Sequence, residues 1–245
     1  MTGTTRIFTL NYDALIDGAA IEVRDQKSKR IRLSWKRGIV LGDMAQGFGQ
    51  ETVDIVPDGP ATAYPLRDDD EYKPANLLVY HLHGSLQWLR RNDGSIWKVD
   101  HIERMRELDF WVRYGRGETA LEPVVVLADQ KARAVELDPF RWAYDRFEDA
   151  LRSADKLVIA GYGFGDLPVN RALARGLENA QYPVQCIDYT DDVAGFKASL
   201  ASRIAGEEPG AKATAARLAK GFARTLRVSG LGVPAALDDL SWTKT

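Results

Sequence analysis

Apolar residues fall in short runs that break into polar or glycine-rich segments. Ile7, Phe8 and Leu10 lead into Asn11-Tyr12-Asp13, and Leu77 to His81 leads into Leu82-His83-Gly84-Ser85. Leu157 to Ala160 leads into Gly161-Tyr162-Gly163-Phe164-Gly165-Asp166. Such runs, bounded by turn formers, predict buried strands over 6–10, Leu77–His81, Val124–Leu127, Leu157–Ala160 and Val184–Ile187. Between them the spacing turns helical. A helix is predicted from Ala14 to Val23, its start marked by Asn11 and Asp13, and another where Phe140, Ala143, Phe147, Ala150 and Leu151 recur. Val169, Leu173 and Leu177 repeat every fourth position behind Asp166, a capping residue, and Pro168, which a first turn tolerates. Ala211 to Arg227 reads as a basic, alanine-rich helix. Strands separated by helices imply parallel βαβ units, so the fold class is α/β: a Rossmann-like parallel sheet flanked by helices.

Two stretches depart from this alternation. From about Arg24 to Asn76 the pattern loosens into the charged run Lys27-Ser28-Lys29-Arg30 and the turn formers Gly47-Phe48-Gly49 and Pro57-Asp58-Gly59-Pro60, predicting an irregular insertion within a single domain spanning 1–245. Gln87 to Arg90 and Ile96 to Val99, joined through Asn92-Asp93-Gly94-Ser95, predict a hairpin standing outside the main sheet.

Composition narrows the picture. A chain of 245 residues, 45% hydrophobic and 28% charged, fits a globular protein with a full core. No apolar run approaches the roughly 18 residues of a membrane span, and the first residues lack a secretory signal. With a single cysteine, Cys186, a cytoplasmic setting is the default expectation. The net charge of −2 argues against a dedicated nucleic-acid binder. One cysteine excludes a four-cysteine zinc site, and His81-x-His83 on an extended segment points its rings to opposite faces, so no metal is expected.

Candidate chemistry sits where the apolar runs end. Strand, Gly161-x-Gly163-x-Gly165, helix, strand and then Asp188, roughly twenty positions after the glycines, form a compact nucleotide-binding grammar, although the spacing is not Gly-x-Gly-x-x-Gly. The glycines let backbone approach a phosphate or ribose, and Asp188 can accept a ribose hydroxyl; the bland reading is a tight strand-to-helix turn. His83 has two readings, a general base at a crevice or a buried hydrogen-bonded structural residue. His81 reads as structural. Asn11 and Asp13 taken alone read as helix caps. Trp88, Trp97, Trp111 and Trp142 read as core or rim packing.

Together, Thr9-Leu10-Asn11-Tyr12-Asp13, Leu82-His83-Gly84-Ser85 and Gly161 to Asp166, in that order, resemble the motif series of bacterial sirtuin-like domains, divergent relatives of sirtuins often found in antiphage defence, where many hydrolyse NAD. The resemblance implies that Asn11 positions a water at the nicotinamide ribose and that His83 is the general base or a ribose-hydroxyl partner. Asp13 would lie near the carboxamide. Gly84, Gly161, Gly163 and Phe164 would line the nucleotide site, and Asp188 would contact the adenosine end. It further implies NAD as substrate or ligand and a NAD hydrolase releasing nicotinamide and ADP-ribose. A second copy of the chain or a defence-system protein is the candidate protein partner.

The chain departs from the family pattern in two respects. The family places a strand and a Gly-Ala-Gly-x-Ser pyrophosphate loop before the Asn-Tyr-Asp segment, whereas ten residues precede Asn11 here, so the expectation is that the start is truncated, that a partner supplies this element, or that the branch has lost normal NAD binding. This motivates the alternative of a catalytically inactive NAD- or ADP-ribose-binding regulatory module, or a structural subunit. The zinc module of protein-deacylating sirtuins is also missing, which counts against a deacylase.

Overall fold

The computed structural model describes residues 4–19, 41–42, 51–66, 77–126, 131–207 and 209–230. The chain divides into two compact units, Met1–Ala143 and Tyr144–Thr245.

In the first unit, β1 (Thr5–Thr9), β5 (Leu77–His81) and β2 (Leu41–Gly42) form a three-stranded sheet in the order β1-β5-β2, with both pairings parallel. β1 enters at the Thr5↔Leu77 register and leaves at Thr9↔His81, so both strands end at one edge. The expected burial of β1 does not hold: Thr4, Thr5 and Arg6 are exposed and only Thr9 is buried. The reason is its place as the first strand in the order of the described sheet, where Ile7 packs with Leu77, Val79 and Ile16 and the polar start of the strand is outside that cluster. A helix, α1, described over residues 15–19, follows. The rest of the helix predicted to Val23, the Lys27–Arg30 run and the Gly47-Phe48-Gly49 turn lie outside the described residues.

A second sheet in the same unit has five strands in the order β3-β4-β7-β6-β8, every pairing antiparallel. β6 (Gly84–Arg90) and β7 (Ile96–Val99) form the predicted hairpin, with Leu89 opposite Trp97 and Gly94 in the left-handed conformation its turn requires. Within the segment read as irregular, residues 51–65 make a hairpin of β3 (Glu51–Val56) and β4 (Gly59–Pro65), with a register shift between Asp54 and Val56, around the predicted Pro57-Asp58-Gly59-Pro60 turn. β8 (Glu122–Val125) overlaps the predicted Val124–Leu127 strand, Leu127 itself lying outside the described residues. It pairs antiparallel with β6 rather than joining a parallel βαβ unit. An apolar run specifies burial, not the direction of its neighbour. Two short helices, α2 (Ile102–Glu107) and α3 (Phe110–Gly115), bring Met105 and Phe110 against Ile55, Leu89 and Val99 of this sheet. They are followed by α4 (Lys131–Ala134) and α5 (Phe140–Ser153), which runs from the first unit into the second.

The second unit holds a parallel three-stranded sheet ordered β11-β10-β9, from β9 (Leu157–Ala160), β10 (Val184–Ile187) and β11 (Leu226–Ser229). α6 (Leu167–Leu177) connects β9 to β10 and buries Val169, Leu173 and Leu177, the face its spacing predicted. α7 (Val193–Ala205) and α8 (Ala211–Thr225) connect β10 to β11. The helix predicted to continue to Arg227 stops at Thr225, because Leu226 turns to extended backbone and its side chain is buried at the start of β11. These parallel sheets flanked by helices make the Rossmann-like character of the chain.

Candidate functional site

The first cluster forms where β1 and β5 end together. Thr9 O accepts from Leu82 N–H at 2.9 Å and Tyr12 O from Leu86 N–H at 2.7 Å, lacing the end of β1 and the loop after it to the β5–β6 turn and the start of β6. The structure thus brings Asn11, Asp13, His83 and Gly84 to one strand-end group. Asp13 does the capping: its Oδ1 accepts from Leu15 N–H at 2.9 Å at the start of α1. Asn11 does not cap. Its backbone N–H donates to Thr9 Oγ1 at 3.1 Å, its carbonyl faces His81 Nδ1 at 3.1 Å, and the residue is exposed.

Below this loop lies a set of side chains only partly anticipated by the sequence. His81, buried, presents Nε2 to Asp17 Oδ2 at 2.7 Å, while Lys98 Nζ donates to Asp17 Oδ1, also at 2.7 Å. Burial opposes charge on Asp17, but the His81 hydrogen bond and the Lys98 ammonium outweigh it and hold the carboxyl well below the usual carboxylate range. The structural reading of His81 is correct. Asp17 and Lys98 escaped the sequence analysis. The available signal was Lys98 itself, a lysine between Trp97 and Val99 in a predicted strand, where a buried ammonium needs a carboxylate.

His83 follows Leu82 in the two-residue turn between β5 and β6, buried, with its carbonyl accepting from Val126 N–H at 2.9 Å. Gly84 has φ +81°, and a Cβ there would overlap the Val124 carbonyl oxygen, so strand packing alone demands glycine.

A second cluster forms at the ends of β9 and β10 in the other unit. Gly161 N–H donates to Ile187 O at 2.9 Å, which sets Gly161 beside Asp188 at the carboxyl ends of neighbouring parallel strands. Gly161 needs its φ of +62°, whereas Gly163 and Gly165 are exposed, outside the left-handed region, and a Cβ on either would meet no described atom within 4 Å. Neither turn geometry nor packing explains those two glycines. Phe164, at φ +58°, turns its ring into the core against Tyr162 and Phe196. What it can offer a ligand is backbone. Asp166 caps α6 through Val169 N–H at 3.1 Å, as predicted. Asn170 on α6 staples the loop, its Nδ2 donating to Phe164 O at 2.9 Å and its Oδ1 accepting from Tyr162 Oη–H at 2.8 Å. Burial, reinforced by the Asp166 carboxylate, raises the Tyr162 and Tyr144 phenols, which stay neutral. Asp188 is half-buried, with Oδ1 accepting from Tyr189 N–H at 2.8 Å. Burial, with Asp188 nearby, pushes the Cys186 thiol up to about 12 and leaves it inert as a nucleophile.

Parallel strands flanked by helices, ending in a polar loop in one unit and a glycine-rich loop in the other, define an α/β protein of Rossmann-like type. More narrowly, the chain belongs to the SIR2-like domain family, whose model matches residues 5–192 and so contains all three motifs. That membership carries a sirtuin-like, NAD-related function. No curated protein matches the chain in sequence. Among the described residues no helix is long and apolar enough to cross a membrane.

Proposed function

We propose that the chain is a NAD hydrolase that releases nicotinamide and ADP-ribose, acting as one sirtuin-like domain into which residues 24–76 are inserted. The observation that carries this reading is the division of labour at the first strand end. Asp13 caps α1, so the exposed Asn11, with both backbone polar groups engaged by neighbours, has no capping task. Asn11 orients a water towards the anomeric carbon of the nicotinamide ribose. The glycosidic bond breaks with its electron pair passing to nicotinamide, the water oxygen bonds to that carbon, and one proton is released. His83 takes that proton or holds a ribose hydroxyl, and Asp13 lies near the carboxamide. Gly161, Gly163, the Phe164 backbone and Asp188 are the further nucleotide-binding residues that the motif resemblance implies, and Gly84 holds the loop beside His83 in shape. Fixed polar groups matter here because the bond breaks through an oxocarbenium-like state. Antiphage defence is the setting that the motif resemblance suggests, with a second copy or a defence-system protein as partner.

The test is product analysis by chromatography of the full chain with NAD, beside calorimetric titration with NAD and ADP-ribose. Equimolar nicotinamide and ADP-ribose, with turnover lowered about a hundredfold in His83→Ala, supports the reading. Binding without turnover makes the chain a silent nucleotide-binding module, and no binding of either compound removes the NAD reading altogether.

A further inference from the structure

The loop carrying Asn11 is fixed from beneath by charge. We infer that Lys98, Asp17 and His81 are positioning residues for Asn11, a buried relay from β7 through α1 and β5 that holds the Asn11 carbonyl and so aims its carboxamide. The inference rests on the reading of Asn11 as a ribose-side residue, and its structural half is testable without NAD.

Hydrogen-bond chemistry defines the relay. The Asn11 carbonyl and the Asp17 carboxylate are both acceptors, at 3.1 and 2.7 Å from the two ring nitrogens of His81. A neutral imidazole has one N–H, so it would leave a lone pair facing one of these oxygens; a ring with two N–H donors satisfies both. Asp17, ionised, lies between the Lys98 ammonium and the His81 ring. The groups facing the ring are Asp17 from α1, the Asn11 carbonyl from the loop after β1, and Trp88 from β6, which packs edge-on at a centroid distance of 5.9 Å. Lys98 on β7 reaches it through Asp17.

A buried ion pair carrying a histidine is an expensive way to stabilise a core, since apolar residues of similar volume often serve as well or better. What the charges add is direction. The relay ends on the carbonyl of Asn11, while the N–H of the same residue is held by the buried Thr9 hydroxyl. Both backbone polar groups of Asn11 are thereby engaged by buried side chains, and the carboxamide is left facing solvent from a fixed base.

The experiment uses the full chain, with ¹⁵N-labelled histidine and backbone amides, as wild type, Lys98→Met and Lys98→Arg. His81 is identified among the three histidines by the signal lost in His81→Gln. The wild-type His81 ring is expected to show both nitrogens in hydrogen bonds, Nε2 with Asp17 and Nδ1 with the Asn11 carbonyl. The Asn11 amide order parameter is expected at about 0.85 in wild type and Lys98→Arg, falling below about 0.6 in Lys98→Met. In NAD turnover, Lys98→Met should lower kcat about tenfold with KM within about twofold, and Lys98→Arg should restore it. A wild-type His81 ring with either nitrogen outside a hydrogen bond overturns the relay, an observation that needs no variant to fold. Unchanged Asn11 order in a folded Lys98→Met chain overturns the positioning role, as does unchanged kcat. If the wild type turns over no NAD, the hydrolase reading and the catalytic purpose of the relay fall together, while the two NMR results still decide whether the relay holds Asn11.

Discussion

Asn11 and Asp13 stand two positions apart, and each is a residue type that caps helices well. The structure gives the cap to Asp13 alone. Asp13→Ala should therefore destabilise the protein by about 1 kcal/mol in thermal unfolding, the usual worth of a lost cap. Asn11→Ala should leave stability within about 0.5 kcal/mol of the parent, because it removes an exposed side chain that closes no hydrogen bond in the fold. Asp17 follows a different rule. Its folded carboxyl lies below the unfolded value of about 4, so its stabilisation is present above that pH and is lost as pH falls towards the folded value. Asp17→Asn, which removes the carboxylate 2.7 Å from the Lys98 ammonium, should cost about 3 kcal/mol at pH 7. Denaturant titrations should show that gap narrowing below about pH 4. Residue by residue, the sequence disclosed which positions end strands but not which side chains meet: Asp17 and Lys98 are 81 positions apart and are joined only by the fold.

At the scale of elements, local signals were legible where they sufficed. Leu77–His81, Leu157–Ala160 and Val184–Ile187 form strands with the predicted bounds, and the Asp93-Gly94 turn closes its hairpin. Pairing direction was not legible, because the apolar run that became β8 is equally compatible with either kind of neighbour, and it joined β6 antiparallel. β11 was hidden because Leu226 and Val228 continue directly from a long helix without a turn former. The closeness of β8 to β6 gives an element-level prediction. Gly84→Ala combines a left-handed backbone with overlap on the Val124 carbonyl, and it should destabilise the first unit by roughly 2–4 kcal/mol in thermal unfolding. Substitution at Gly163, where a Cβ meets no described atom, should spare stability and appear instead as weaker NAD binding in calorimetry.

At the scale of the whole molecule, the motifs are distributed over two compact units. Asn11, Asp13, His83 and Gly84 belong to the first, and Gly161, Gly163, Phe164 and Asp188 to the second, while the family match from 5 to 192 runs through both. The order of three short motifs was enough to point to the family, because each alone has a bland explanation and their succession does not. What the order could not convey is how the Asn11 loop is held, which depends on buried polar side chains contributed from α1, β5 and β7. The most direct test of the account is the rate of nicotinamide release from NAD by the full wild-type chain, measured beside a folded Asn11→Ala variant. The account predicts steady release by the wild type and a loss of about a hundredfold in the variant, with unfolding temperatures close together. Equal release by the two chains, or none from the wild type alone or with its genomic partner, would contradict it.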